Sequence, residues 1–256
     1  MTANAEAVLD AGRGTLTLPR RLVPTVMLLR AKGRAGFAGD ASSVRALAEL
    51  ERAGITAAGR LHPLAADILQ VVTDPSLVVT VEVRALERPA ISTIWASDAG
   101  AVLGQAIEPG LFHLGPIEPD LLPFHLAQLT MVGPRPDHGF AGSADAPAGL
   151  LDELEPLWCT DPDAVAARLV GAGVGAAWAE RLAGAHRHRR ATWRVASLWA
   201  GPDGSAHDRE VMMLDAGPEG YWEITPLPAD VPSIRFTPRR FADVMEALTA
   251  AAPHLR

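Results

Sequence analysis

The sequence predicts an α+β fold in which one module, a meander of strands closed by a helix, occurs twice. Three observations carry that prediction. The run from Ser76 to Glu108 reads as strand, turn, strand, turn, strand, and a weaker copy returns from Ala191 to Thr225. Each copy contains an Asp-Ala-Gly turn, at Asp98 and at Asp215, 117 positions apart. The segments C-terminal to the two copies also match. Phe112 to Pro116 leads into an apolar-periodic helix through Leu122, Leu126 and Leu129, and Ile234 to Pro238 leads into one through Phe241, Met245 and Leu248. Pro116 and Pro238 lie 122 positions apart, so an insertion of five residues around Pro226 to Pro232 accounts for the change of offset. A period this long, present twice, describes a quasi-two-fold domain and not a solenoid of many short repeats.

Met1 to Gly14 is small and polar, and Thr15 to Leu18 alternates like a short strand. Leu22 to Leu29 is an apolar run in which Pro24 suits either a strand or a first helical turn. Gly33 to Gly39 is a loop. Asp40 or Ser42 then offers a side-chain oxygen to cap a helix through Val44, Leu47 and Leu50 that stops at Gly54. A second helix is expected over Thr56 to Val72, with Leu61, Leu64, Ile68 and Val72 on one stripe, ended by the turn at Asp74-Pro75. In the next strand, Leu77, Val79, Val81, Val83 and Ala85 share one face while Thr80, Glu82 and Arg84 share the other. That pattern marks a sheet with one dry side, which helices must cover. Gly133 to Gly149, rich in Pro, Gly, Ala and Asp, reads as a loop joining two halves of one domain, 15–132 and 150–256. Helices resume at Leu150 to Trp158 and again from Pro162, where Asp161 is the cap and Pro162 fills the first helical position. Gly171, Gly173 and Gly175 interrupt the pattern before a last helix of this group from Ala176 to about Ala185.

Composition narrows the function. At 256 residues, 48% hydrophobic and 21% charged, the chain is long enough to bury its own core. No apolar run reaches the length of a membrane span, and the N-terminus lacks the pattern of a signal peptide, so a cytoplasmic protein is expected. Cys159 is the single cysteine, which excludes an internal disulfide and agrees with a reducing compartment. Lys32 is the one lysine among 23 basic residues and is not preceded by the glycine spacing of a phosphate loop. A net charge of −7 disfavours nucleic acid as a partner.

Candidate chemistry is sparse. His186-Arg187-His188-Arg189-Arg190 is the most conspicuous polar cluster, but it has no anionic ligand nearby and its guanidiniums repel a cation, so no metal is expected there. It reads as a solvated helix C-terminus whose cations meet the dipole favourably. Cys159 reads as a small core residue at a helix end. Asp98 and Asp215 read as turn residues that hydrogen-bond their own backbone. Gly171-Ala-Gly173-Val-Gly175 comes after a helix and has the wrong spacing for a nucleotide fingerprint, and no G-x-S-x-G, H-E-x-x-H or C-x-x-C occurs. Trp95, Trp193, Trp199, Tyr221 and Trp222 lie on or beside strands, where they are core on the inner face and partner anchors on the outer one.

The duplicated layout, the Leu61 to Val72 segment with Asp74-Pro75 after it, the VVTVEV strand, Gly220-Tyr221-Trp222, and Phe236-Thr237-Pro238 before the last helix together resemble the EspG family of type VII (ESX) secretion-associated proteins of actinobacteria. The resemblance implies a central, mostly antiparallel sheet flanked by helical bundles. It also implies a cytoplasmic chaperone, without catalytic residues or cofactors, that binds the helical tip of a PPE protein in a PE/PPE pair or of another secreted helical hairpin. Such a protein keeps that tip soluble and delivers it to its secretion system. By location alone, the family's partner surface corresponds to the strand-connecting loop at Leu86, Glu87 and Arg88 and to the helices around Trp158 and Trp178. The rival reading is a small-molecule-binding or hydrolytic domain with a sheet-lined pocket formed by Trp95, Trp193 and Trp222.

Overall fold

The computed structural model describes residues 6–32, 41–85, 89–108, 110–137, 139, 141–154, 161–228 and 232–253. In chain order the strands are β1 (Val8–Asp10), β2 (Thr15–Pro19), β3 (Thr56–Ala57), β4 (Arg60–Leu61), β5 (Leu77–Ala85), β6 (Pro89–Ser97), β7 (Gly100–Glu108), β8 (Leu111–Ile117), β9 (Ala144–Pro147), β10 (Ala191–Ala200), β11 (Ala206–Asp215), β12 (Tyr221–Leu227) and β13 (Ser233–Arg239). The helices are α1 (Val23–Lys32), α2 (Ala41–Arg52), α3 (Pro63–Thr73), α4 (Leu122–Leu129), α5 (Leu150–Leu154), α6 (Pro162–Gly171), α7 (Ala176–Arg187) and α8 (Phe241–Ala250).

Eleven strands form one antiparallel sheet in the order β1-β2-β8-β7-β6-β5-β10-β11-β12-β13-β9. From the middle outward, β5-β6-β7-β8-β2 on one side mirrors β10-β11-β12-β13-β9 on the other. Val81 faces Val195 where the two sides meet. On each side the chain runs in the same sequence, an outer strand, three helices, a four-stranded meander and a closing helix, with β1 and the β3–β4 hairpin additional on the first side. The fold is thus α+β with the expected internal repetition.

Two of the expected elements need correction. The stretch from Gly133 to Gly149 is not loop throughout, because Ala144–Pro147 forms β9 and pairs with β13. The bidentate contact of Arg235 with Asp145, at 2.7 and 2.9 Å, clips the two strands together. β9 therefore plays for the second meander the part that β2 plays for the first. The helix expected over Thr56 to Val72 covers only Pro63–Thr73. Ahead of it a small β3–β4 hairpin turns through Ala58 and Gly59 at φ of 50° and 74°, and His62 caps the helix by accepting the Leu64 amide. The buried stripe of α3 is accordingly Ala65, Ile68, Leu69 and Val71. The segment around Pro24 resolves as helix α1, and Asp161 caps α6 through the Ala164 amide at 2.9 Å with Pro162 at its first position. Asp40 lies outside the described residues.

Side-chain alternation gives the sheet two unlike faces. On the first, Leu77, Val79, Val81 and Val83 of β5 join Trp193 and Val195 of β10 in a core that α4 and α8 cover with Leu122, Leu126, Val244 and Leu248. Burying each such side chain contributes about 1.5–3 kcal/mol. The Ser197 hydroxyl donates to the Ala251 carbonyl at the end of α8, which fixes that helix on β10. On the second face, α1, α2 and α3 cover Leu16, Val102 and Leu114 at one flank. At the other flank, α5, α6 and α7 cover Leu214, Trp222, Ile224 and Phe236.

The two Asp-Ala-Gly turns do unlike work, and the reading of an aspartate that hydrogen-bonds its own backbone holds for Asp215 but not for Asp98. In the first, the side chain that accepts an amide two residues on is Ser97, from Ala99, and Asp98 is exposed. In the second it is Asp215, which accepts from the Gly217 amide at 2.9 Å. Asp215 is buried and also takes a bidentate contact from Arg135, at 3.0 Å from Nε and 2.7 Å from Nη2. The Tyr221 hydroxyl donates to the Gly133 carbonyl and accepts from its amide, so the connection between the meanders is pinned at two adjacent points. The guanidinium beside Asp215 is held even more firmly protonated than usual. Removing one partner of a buried pair strands the other charge, so Asp215→Ala is expected to cost about 3–5 kcal/mol. Asp98→Ala, at the matching sequence position, should stay within about 0.5 kcal/mol of the parent. Urea unfolding of both variants checks the contrast.

Candidate functional site

Because the two bundles sit over the flanks of the second face, the described helices leave one side of the four central strands between them uncovered. Register defines that strip as three rows. Trp95, Val78, Leu198 and Asp208 form one; Thr93, Thr80, Ala196 and Glu210 form the next; Ile91, Glu82, Arg194 and Met212 form the third. Trp95 belongs to the border, since its ring lies over Gly104, where a Cβ would come within 2.5 Å of it. Leu198 is 56% exposed and Ile91 59%, although both sit in strands. Between them Arg194 bridges Glu82 at 3.2 Å and Glu210 at 2.8 Å. The hydrogen bond from Arg194 holds the Glu210 carboxyl below its ordinary range. In a half-exposed setting each such pair contributes at most about 1 kcal/mol, so these charges orient the floor more than they stabilise it. The strip is shallow, mixed in polarity, and apolar at Leu198 and Ile91.

Of the residues assigned to the partner surface from sequence, only Trp178 is among the described residues. Leu86, Glu87 and Arg88 lie outside the described residues, but they connect β5 to β6, two of the four strands of the floor. Trp158 and Cys159 also lie outside the described residues. Trp178, on α7, is half-buried and meets Trp222 edge-on, with ring centroids 5.9 Å apart and planes at 77°. Its ring anchors the second bundle to the sheet. The pocket of Trp95, Trp193 and Trp222 does not form: Trp193 is buried in the core under α4 and α8, Trp222 in that under α5 to α7, and Trp95 packs beside the core under α1 to α3. Strand alternation alone could not reveal that three strand-borne tryptophans belong to three separate cores. Sequence reasoning also missed Leu198 and Ile91. The signal was present, since each is apolar at a position whose strand neighbours on the same face are Arg194 and Ala196, or Thr93.

The basic cluster at the end of α7 is not a solvated terminus throughout. His186 and Arg189 are both buried, whereas Arg187, His188 and Arg190 are exposed, and His188 lies 3.9 Å from Glu219. Among the described residues, no group of three or more His, Cys, Asp or Glu is placed to hold a metal ion. None of their helices is long and apolar enough to cross a membrane.

No family model matches the sequence, and no curated protein matches it. Among solved structures, the chain is similar to one in the structure of the Mycobacterium tuberculosis type VII secretion system chaperone EspG5 in complex with the PE25-PPE41 dimer. The TM-score is 0.58 at 12% sequence identity, and the match covers 94% of this chain and 97% of that chain. A likeness at that identity shows the fold alone: this is an EspG-like fold.

Burial, reinforced by the Arg189 charge, lowers the His186 imidazole from its ordinary 6.5 to about 4. The unfolded chain therefore takes up this proton more readily than the folded one. Stability that is fully present above about pH 6.5 is lost as the pH falls toward 4, by up to roughly 3 kcal/mol. Urea midpoints measured from pH 7.5 down to 4.5 should fall, and His186→Gln, which cannot gain the charge, should flatten the decline.

Proposed function

We infer that the chain is a cytoplasmic chaperone for a type VII secretion substrate. It binds the helical tip of a PE/PPE-like or other helical-hairpin protein, keeps that tip soluble and guides it to its secretion system, without catalysis. The observation that carries this reading is the strip of sheet that the described helices leave uncovered between two bundles, with Leu198 and Ile91 exposed on its floor. Strands about 4.8 Å apart place β6 and β11 roughly 14 Å apart, and a helix with its side chains is about 10–12 Å across. One helical end fits such a trough. Its apolar residues would meet Leu198 and Ile91 while its polar edge meets Glu82, Arg194 and Glu210. The EspG-like fold supports the same reading, since the similar chaperone was solved with a PE-PPE dimer. The connection at Leu86, Glu87 and Arg88 joins β5 to β6 in sequence and would add contacts to the client. Trp178 would act by holding the second bundle against the sheet, and Trp158 lies in sequence between α5 and α6 of that bundle.

Co-expression with helical-hairpin proteins encoded beside it should yield a soluble stoichiometric complex. Leu198→Asp and Ile91→Asp, both at exposed positions, should each weaken that complex at least about tenfold, or ~1.4 kcal/mol, with circular dichroism unchanged. Substituting Leu86 and Arg88 should weaken it further if the loop is central to the contact. Failure of every such hairpin protein to co-purify, with a small molecule retained instead, would overturn the chaperone reading.

A further inference from the structure

The closing helices α4 and α8 pack side by side over the central strands and are quasi-symmetric counterparts. Their buried residues correspond at one offset, Leu122 with Val244 and Leu126 with Leu248, 122 positions apart. The same offset places Leu121 opposite Asp243 and Phe124 opposite Glu246. The fold thus tolerates carboxylates at these outward positions in one copy. In the other copy Leu121 is 45% exposed and Phe124 62%. Leu121 ends the short 3-10 turn that leads into α4, Phe124 and exposed Gln128 stand one turn apart on α4, and exposed Met131 lies just beyond its end.

The border of this patch is mostly acidic, and the two arginines that lead into α8, Arg239 and Arg240, are paired with Glu223 and Asp137. Exposed Glu118 and Asp120 precede it, Asp243 and exposed Glu246 lie on the adjacent helix, and neither 118–131 nor 241–253 contains an arginine or lysine. An apolar patch bordered by carboxylates complements a helix with an apolar face and cationic edges. It disfavours two-fold self-association through the same patch, which would oppose like charges.

We propose that the outer surface of α4, bordered by α8, is a second docking site that takes a basic amphipathic helix of another protein. It lies on the sheet face opposite the open strip, so it is independent of the chaperone reading and can be filled while the strip is occupied. The test uses the full chain and two synthetic amphipathic peptides of roughly 18 residues, long enough to be helical. One is built of leucine and lysine, the other of leucine and glutamate. Calorimetric titration should show binding of the lysine peptide and not of the glutamate peptide. The double variant Leu121→Ser, Phe124→Ser should weaken binding at least fivefold, while its urea midpoint matches the parent's. Equal binding to parent and double variant would mean that charge alone is sensed and would overturn the proposal. So would binding of the glutamate peptide, or concentration-dependent self-association that the double variant abolishes without any peptide binding.

Discussion

The structure depends on one pairing, that of β5 with β10. Nine consecutive residue pairs, from Leu77 with Trp199 to Ala85 with Ala191, join the first strand of one meander to the first strand of the other. Antiparallel pairing of equivalent strands creates a local two-fold relation, and Val81 opposite Val195 marks where it passes. Every later strand of each meander is then laid down farther from the centre. The helices that precede each meander land over the flank that their own meander builds. The closing helices return to the middle on the other face, where α4 and α8 meet over the valines of β5 and β10. An uncovered strip on the second face is the geometric result of that ordering. It needs no special residues to create it, only residues able to tolerate exposure.

Repetition of the backbone does not impose repetition of chemistry. Ser97 and Asp215 do the same turn-forming task, yet only Asp215 is also half of a buried ion pair with Arg135. Arg135 stands 5.6 Å over the Tyr221 ring, and Tyr221 in turn holds Gly133. One short stretch of connecting chain is thereby fixed against the second meander with no neutral alternative, because each charge is stranded without the other. The contrast between Phe124 and Glu246 is of the same kind. Fold requirements are met by the inward residues of both copies, and the outward ones are free to diverge.

Much of the architecture is legible in the sequence because it is periodic. Alternation along Leu77 to Val83 marks a strand with one dry face, and the matching helices after Pro116 and Pro238 mark the repeat. The illegible part is non-local. Ala144–Pro147 has too few residues to show a period, and its identity as a strand depends on a partner near Arg235 that no local pattern announces. The β3–β4 hairpin hides inside an apolar stripe because Leu61 and Leu64 keep helical spacing across it. His186 and Arg189 look solvated by their polarity, whereas tertiary packing buries both. For the candidate surface, sequence points to the connection after β5, and the folded chain adds the strip beside it, visible only once the two bundles are known to stop short of the middle.

The pairing of the outer strands β2 and β9 with the last strand of each meander has a consequence during synthesis. β2 waits for β8 and β9 waits for β13, so each half can close only when its meander is finished. The strands of the first half are all made once α4 has left the ribosome, but β10 and α8, which complete the core under α4, are not. β10, the partner of β5, is still more than a hundred residues from β5 in sequence, as Val81 and Val195 illustrate. In the interval β5 is a bare edge of nine residues, with valines on one side and a row of unpaired amides and carbonyls along it. Such an edge is a template for pairing with another nascent chain. The growing polypeptide therefore carries its own aggregation hazard until its second half arrives to occupy the place.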